Sequence, residues 1–220
     1  DINVLTQLKN LKLLTLGHAG IYYGMGSKIT FTSGSNPLED ENLEVLSKLT
    51  GLQTLYIEVG NATNIGYLST LTNLTTLSLS YNDISDISAL SGLKNLTGLH
   101  LSDNNISDIS ALSGLTNLTD LDLSANNISD ISVLSGLTDL RSLRLHNNNI
   151  SDISDLSGLT NLKYLYLHYN NISDISVISG LTRLEWLYLN HNEIADIRAL
   201  SGLTNLTDLN LEDNIIQRTI

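Results

Sequence analysis

The chain repeats itself every 22 residues, and this period constrains the fold more than any other feature of the sequence. From Asp86 the unit DISALSGLKNLTGLHLSDNNIS recurs five more times without insertion or deletion, and two weaker copies precede it. A unit this short cannot bury its own apolar face, so successive units must stack on one another. The sequence therefore predicts an elongated solenoid. The repeats begin at Asn42, Asn64, Asp86, Asp108, Asp130, Asp152, Asp174 and Asp196.

Six positions of each repeat are Leu or Ile almost throughout; numbered from the start of the repeat, they are positions 5, 8, 11, 14, 16 and 21. Positions 14 and 16 form an L-x-L alternation, which predicts a short strand with one face buried. Position 19 is Asn, and a polar side chain inside an apolar frame needs hydrogen-bond partners. We expect each Asn to bond backbone groups of its own turn and of the neighbouring coil. The Asn column is Asn82, Asn104, Asn126, Asn148, Asn170, Asn192 and Asn214.

The combined pattern, LxxLxxLxLxxNxI at 22-residue spacing, is identified as a leucine-rich repeat. The DIS-x-L-SGLTNL segment between strands resembles the internalin family of bacterial surface adhesins. The resemblance covers residues 42–216 well and residues 1–22 acceptably. It implies a leucine-rich repeat solenoid, a right-handed superhelix with a parallel β-sheet on its concave face. Too few residues remain between strands for full α-helices, so we expect 3₁₀ or short turns on the convex face.

We predict a single leucine-rich repeat domain over residues 1–220. It comprises a first coil at 1–22, a degenerate coil or irregular loop at 23–41, and eight regular repeats at 42–217. The segment KITFT would supply the strand of a degenerate coil; the functional alternative is a protruding recognition loop. The repeat phase predicts that both ends are truncated part-way round a coil. The resemblance implies a helical cap before the repeats and an immunoglobulin-like domain after them.

Variable positions next to the strand leucines carry the functional prediction, because the coil does not need them. Positions 13, 15 and 17 face the concave side, with positions 18 and 20 beside them at the turn. This face becomes acidic and then aromatic over two neighbouring coils, and exposed aromatic patches mark binding sites. The alternative, that aromatic residues simply favour strands, does not explain their clustering. The predicted ligand-binding residues are Asp122, Arg144, His146, Tyr164, Tyr166, His168, Tyr169, Trp186, Tyr188 and His191, with Arg144 and the histidines as the rim.

Two recurrent polar groups have a metal-binding interpretation that we do not favour. His146, His168 and His191 lie on adjacent coils and offer zinc ligands, but solvated interface histidines explain them as well. A pH-sensitive interface is a further alternative for these residues. The acidic column at position 1, which begins at Asp86 and ends at Asp196, offers oxygen ligands for calcium. Capping of a tight turn through local backbone bonds is the preferred interpretation of this column. We therefore predict neither a metal nor another cofactor.

The composition excludes several function classes. A formal net charge of −12 argues against a nucleic-acid binder, which needs a basic footprint. No cysteine is present, so disulfide and thiolate chemistry are excluded. No apolar run approaches the ~20 residues that span a bilayer. We find no Ser-His-Asp set, paired carboxylates or glycine-rich phosphate loop, so the sequence predicts a protein that is not an enzyme.

Three hypotheses of function remain. The first is a recognition and adhesion module on a bacterial cell surface, which binds a protein through the concave face; the resemblance implies a host or neighbouring-cell receptor. The second is a carbohydrate binder that stacks Tyr and Trp on sugar rings. The third is an intracellular protein–protein scaffold. Nine N-x-S/T sequons, several beside the concave face, argue against a eukaryotic secretory origin, because glycans there would obstruct it.

Overall fold

Short parallel strands form a single sheet in the computed structural model, which describes residues 7–8, 10–17, 43–58 and 61–216. The strands follow one another in chain order, and each pairs with the next one along the chain. The parallel sheet that the repeat pattern predicted is confirmed. The strands within the described residues are β1 (Leu13–Gly17), β2 (Thr54–Glu58), β3 (Thr76–Ser78), β4 (Gly98–His100), β5 (Asp120–Asp122), β6 (Ser142–Arg144), β7 (Tyr164–Tyr166), β8 (Trp186–Tyr188) and β9 (Asp208–Asn210).

Short 3₁₀ helices connect the strands on the opposite side, as expected from the small number of residues available. In six repeats the Oδ1 atom of the position-1 Asp accepts a hydrogen bond from the N–H two residues later, as between Asp130 and Ser132 at 2.9 Å. The predicted capping role of this column is therefore confirmed. The 3₁₀ segments span Glu44–Lys48, Gly66–Thr70, Ser88–Gly92, Ser110–Leu112, Ser132–Gly136, Ser154–Gly158, Ser176–Gly180 and Arg198–Gly202.

The repeat leucines and isoleucines form one continuous core between the sheet and the 3₁₀ segments. Pairing is in register with the repeat, so Leu121 lies between Leu99 and Leu143, and all three are fully buried. Equivalent positions of successive repeats therefore become stripes that run across the sheet at a spacing of about 4.8 Å. This register aligns position 13 of each repeat with position 13 of its neighbours on the exposed face of the sheet. It aligns position 15 in the same way.

The first two strands are an exception to the 22-residue spacing. β1 pairs directly with β2, with Leu14 beside Leu55 and Leu16 beside Ile57. Within the described residues, the strand order of the sheet therefore runs directly from β1 to β2. Both interpretations of residues 23–41, the degenerate coil and the irregular or recognition loop, stay predictions, because residues 18–42 lie outside the described residues.

The Asn column ties neighbouring coils together, as predicted. Asn126 donates from Nδ2 to the carbonyls of Leu123, Ser124 and, in the preceding coil, Leu101 at 2.9 Å. Its Oδ1 accepts the N–H of Ile106, also in the preceding coil, at 2.9 Å. Equivalent bonds recur at the other members of the column. Each buried Asn is thereby satisfied and joins two coils.

The residue before each of these Asn side chains has a left-handed backbone. The φ angles at position 18 lie between 51° and 59° from Tyr81 to Asp213, and glycine is absent from this position. Left-handed residues other than glycine, Asn and Asp are uncommon, because Cβ crowds the following carbonyl. The column is Tyr81, Asp103, Ala125, Asn147, Tyr169, His191 and Asp213.

Candidate functional site

The aromatic patch comprises Tyr164, Tyr166, Tyr169, Trp186 and Tyr188, with β7 and β8 at its centre. The leucines between these residues point into the core, so the aromatic side chains point away from it. Tyr166 stacks on Tyr188 with ring centroids 5.2 Å apart and planes 10° apart. Tyr164 contacts Trp186 at 5.1 Å in a tilted arrangement of 59°. The two-coil cluster inferred from the sequence is therefore formed by direct ring contacts.

The histidines join this patch more closely than we expected. His168 stacks on His146 with centroids 4.3 Å apart and planes 10° apart, and it presents an edge contact to Tyr188 at 6.3 Å. It also contacts Tyr169 at 5.7 Å. We expected His168 on the rim, but it lies between several aromatic rings because position 17 follows the strand directly. His191 stacks on Tyr169 at 4.1 Å.

Burial makes the stacked histidines hard to protonate. Desolvation lowers the pKa of His146, and nearby Asp122 partly opposes this effect. Desolvation, with further contributions from His146 and His191, lowers the pKa of His168 to about 4. The Nδ1 atoms of His146 and His168 are buried and have no hydrogen-bond partner within the described residues. Both imidazoles are therefore neutral near pH 7, and the pair behaves as a flat, largely apolar surface.

Arg144 is held in place by groups on both sides. Its Nη1 donates to Oδ1 of Asp120 at 3.0 Å, and its guanidinium carbon lies 5.5 Å from the centre of the Tyr166 ring. This is a cation–π arrangement supported by an ion pair. Asp122 instead accepts hydrogen bonds from the N–H and hydroxyl of Ser124, the latter at 2.6 Å. Asp122 is thus beside the patch without a ring contact to it.

Stacking decides which surfaces of the rings remain available. The pairs Tyr166–Tyr188, His146–His168 and Tyr169–His191 have interplanar angles of only 10° to 12°. Within each pair one face of each ring is covered by its neighbour, and Arg144 covers a face of Tyr166. The patch therefore presents mainly ring edges and hydroxyl groups, with Trp186 tilted and 42% exposed among them.

Tyr169 combines exposure with backbone strain. Its side chain is 48% exposed and its φ is 56°. Asp or Asn occupies the same position in three other repeats and adopts this conformation with less crowding. The left-handed turn does not require Tyr at this position, because Asn147 and Asp103 adopt the same backbone conformation. Strained residues of this kind concentrate at functional sites.

Sequence reasoning missed two further ladders of hydrogen bonds. The Asn at position 10 bonds a carbonyl of the preceding coil, as Asn117 does to Lys94 at 2.8 Å. The Thr at position 12 does the same, as Thr119 does to Thr97. Recurrence of Asn and Thr in fixed columns was the signal available. Where Lys163 and Glu185 replace Thr at position 12, they form an ion pair at 2.6 Å, and Tyr164 donates to Glu185 at 3.3 Å.

Neither a metal cluster nor a membrane span is found in the described ranges. No group of three or more His, Asp or Glu side chains there is arranged to hold a metal ion. The stacked geometry explains this for His146 and His168, because lone pairs lie in the ring plane and do not converge between parallel rings. No helix in the same ranges is long and apolar enough to cross a membrane.

Comparison with known proteins agrees with this geometry. The family model "Leucine rich repeat" matches residues 140–194, and the model "Leucine Rich repeats (2 copies)" matches residues 72–105, 94–136 and 182–220. The structure of an internalin C2 from Listeria monocytogenes superimposes with a TM-score of 0.75 and 36% identity, over 79% of this chain and 75% of that one. This chain is an internalin-like leucine-rich repeat protein.

Two further structures show how much of each chain the similarity covers. The internalin inlF from Listeria monocytogenes superimposes with a TM-score of 0.86 and 35% identity over 99% of this chain, which spans 59% of that structure. A TDR receptor shares the fold alone, with a TM-score of 0.79 and 21% identity over 96% of this chain and 36% of that one. No curated protein sequence matches the chain significantly. The internalin-like chain thus spans somewhat more than half of the inlF structure and about a third of the TDR receptor structure.

Proposed function

We propose that this internalin-like chain is a non-enzymatic recognition and adhesion module that binds a protein ligand through its concave face. The aromatic patch is the anchor, and Asp122, Arg144, His146, His168 and His191 surround it. The leucine-rich repeat fold of the chain is that of a protein-interaction module. The site and the identity of the ligand are the parts that we propose.

The observation that carries this proposal is the exposed, contiguous set of rings on β7 and β8. Trp186 and Tyr169 remain 42% and 48% exposed, although most other repeats hold small or polar residues at the same positions. Tyr and Trp dominate the binding energy of protein interfaces. The rings lie on a rigid sheet, so little conformational entropy is lost when a ligand binds.

The ring geometry favours a protein ligand over a carbohydrate. A sugar stacks on the open face of an aromatic ring, whereas the stacked pairs here cover one face of each ring. Edges and hydroxyl groups suit the mixed apolar and polar surface of a protein. Carbohydrate binding remains the alternative, and a glycan array tests it directly. A glycan bound by the wild-type chain and lost on Trp186→Ala would reverse this preference.

We also propose that the module acts at a bacterial cell surface. Two internalins from Listeria monocytogenes share its repeat architecture and more than a third of its aligned residues. A host or neighbouring-cell protein is then the expected class of ligand. An intracellular scaffold is the competing hypothesis. Detection of the native protein on intact bacteria with an antibody, compared with a cytosolic marker, separates the two.

The decisive experiment compares three forms of the chain as baits for surface proteins of host cells. Tyr166→Ala, Trp186→Ala and Tyr188→Ala are combined in one variant, and Tyr81→Ala serves as the matched control. Tyr81 occupies the same position as Tyr169 four repeats away, is 60% exposed and lies outside the patch. A protein captured by wild type and by Tyr81→Ala but lost by the triple variant supports the site. Equal capture by all three forms would contradict it.

A further inference from the structure

The charges around the aromatic patch identify the class of partner that fits it. We infer that the ligand is a basic protein surface, with Lys and Arg side chains arranged around an apolar centre. The inference rests on the proposed function, because it takes the patch as the place of contact. It adds the chemical character of the partner.

The charged side chains at the concave positions of the six strong repeats are almost all acidic. Positions 13, 15, 17, 18 and 20 hold seven carboxylates and, as the sole Lys or Arg, Arg144. With His neutral, these positions carry a formal charge of −6, half of the net charge of the chain. The carboxylates are Asp103, Asp120, Asp122, Glu193, Asp208, Glu212 and Asp213.

Within the described residues, five of these seven carboxylates form no ion pair with Lys, Arg or His. Arg144 is bound to Asp120, and His191 lies 3.2 Å from Asp213. Asp122 is bonded to Ser124, which is neutral, and Asp208 accepts a hydrogen bond from Tyr188. Burial raises the pKa of Asp103, and repulsion from the charge of Asp122 adds to this effect. A positively charged partner would relieve this repulsion.

The acidic groups lie on both sides of the aromatic rings. Asp120 and Asp122 lie on β5, two strands before the patch begins, and Asp208 lies on β9, directly after it. Four strand spacings of about 4.8 Å separate β5 from β9, so the two acidic margins are roughly 19 Å apart. The aromatic rings therefore lie between two acidic margins.

This arrangement distinguishes basic partners from others. Water is excluded from the centre of an interface, where aromatic anchors dominate, while charges at its margin set partner choice and association rate. An acidic partner would place like charges opposite each other on both margins. A neutral partner would desolvate carboxylates without replacing their water. A surface with cationic side chains at its margins and apolar side chains at its centre complements both the acidic margins and the aromatic patch.

The test is a selection from a displayed random peptide library, carried out on the whole chain. Trp186 is the single tryptophan of the chain, so its fluorescence reports whether a selected peptide occupies the patch. A margin variant combines Asp122→Asn, Asp208→Asn and Glu212→Gln. A charge-matched control combines Asp108→Asn, Asp130→Asn and Asp152→Asn on the convex face, where Asn retains the oxygen that accepts the turn hydrogen bond.

We expect peptides that change Trp186 fluorescence to be enriched in Lys and Arg over the input library. Their synthetic versions should bind the margin variant about 10-fold more weakly, bind the convex control within about 2-fold of wild type, and weaken as salt rises. Peptides that alter Trp186 fluorescence without basic enrichment would overturn the inference and leave the proposed site standing. If no selected peptide alters this fluorescence, both the site and the inference fail.

Discussion

Tyr169 and His191 lie one repeat apart, stack with ring centroids 4.1 Å apart, and both have left-handed backbones with φ of 56° and 55°. The contact exists because the in-register stacking of coils places each position beside its own copy 22 residues later. Two structural requirements conflict at this position of the repeat. The Asn ladder requires the left-handed turn, and the exposed rings place bulky side chains on it. This conflict leads to the first prediction.

Replacing Tyr81 by Asn should stabilise the chain, and the same change at Tyr169 should stabilise it less. Asn147 already occupies this position with φ of 54°, and relief of the left-handed strain is worth about 1 kcal/mol. Tyr81 has no ring stack within the described residues, whereas Tyr169 loses its stack on His191, worth about 0.5–1 kcal/mol. Urea denaturation measures both free energies of unfolding. A lower value for Tyr81→Asn than for wild type would refute the strain argument.

Removing one member of the Asn ladder should destabilise the chain severely. Asn126→Ala leaves three carbonyls and the N–H of Ile106 without their partner in a buried place, so we expect a loss of at least about 3 kcal/mol. Asn117→Ala is the control, because it removes a single bond at an exposed side chain and should cost about 1 kcal/mol or less. Equal losses in the two variants, measured by urea denaturation, would show that the buried ladder is not the main tie between coils.

Lowering the pH should reduce the free energy of unfolding because of His168, and this should begin at a higher pH than protonation of the carboxylates. The folded-state pKa of about 4 lies below the ordinary value of about 6.5, so the unfolded chain binds more protons between these values. The free energy of unfolding should therefore fall as pH drops from 6.5 towards 4.

His168→Phe retains a flat ring but has no proton to gain, so it should lose less stability than wild type between pH 7 and pH 5. His100→Gln, away from the stack, controls for the loss of a histidine. An NMR titration of His168 in wild type checks the cause directly. A midpoint near 6.5 would contradict the proposed desolvation, whatever the stability data show.

Replacing the leucine at position 14 should reduce the free energy of unfolding by very different amounts in different repeats of the solenoid. Leu121 is fully buried between two coils, whereas Leu209, on β9, is 42% exposed. Leu121→Ala should cost about 3–5 kcal/mol, because it removes buried contacts and leaves a cavity. Leu209→Ala should cost about 1 kcal/mol or less. Thermal and urea denaturation of the two variants provide the comparison, and similar losses would mean that β9 is packed in solution.

The parts of the fold that were predictable are those that recur within the chain. Leu143, Asn148 and Asp130 stand in columns with eight, seven and six identical members, and a residue type repeated in this way is one that the coil itself requires. The strand, the ladder and the turn cap followed from these columns. The position of the aromatic cluster followed in the same way, because Tyr164 and Trp186 depart from columns that are otherwise small or polar. The segment at residues 23–41 has no copy within the chain, so its sequence left a degenerate coil and an irregular loop both open.

The sequence by itself determined the period, the buried columns and the set of residues that the concave face displays, because each depends on local spacing and burial. Only the tertiary structure decided how those residues meet. It placed His168 between other rings, turned Asp120 towards Arg144, covered faces of the Tyr166 and Tyr188 rings, and paired β1 directly with β2. These outcomes depend on side-chain orientation and on contacts between coils. A repeat pattern states which residues become neighbours but not which of their surfaces touch.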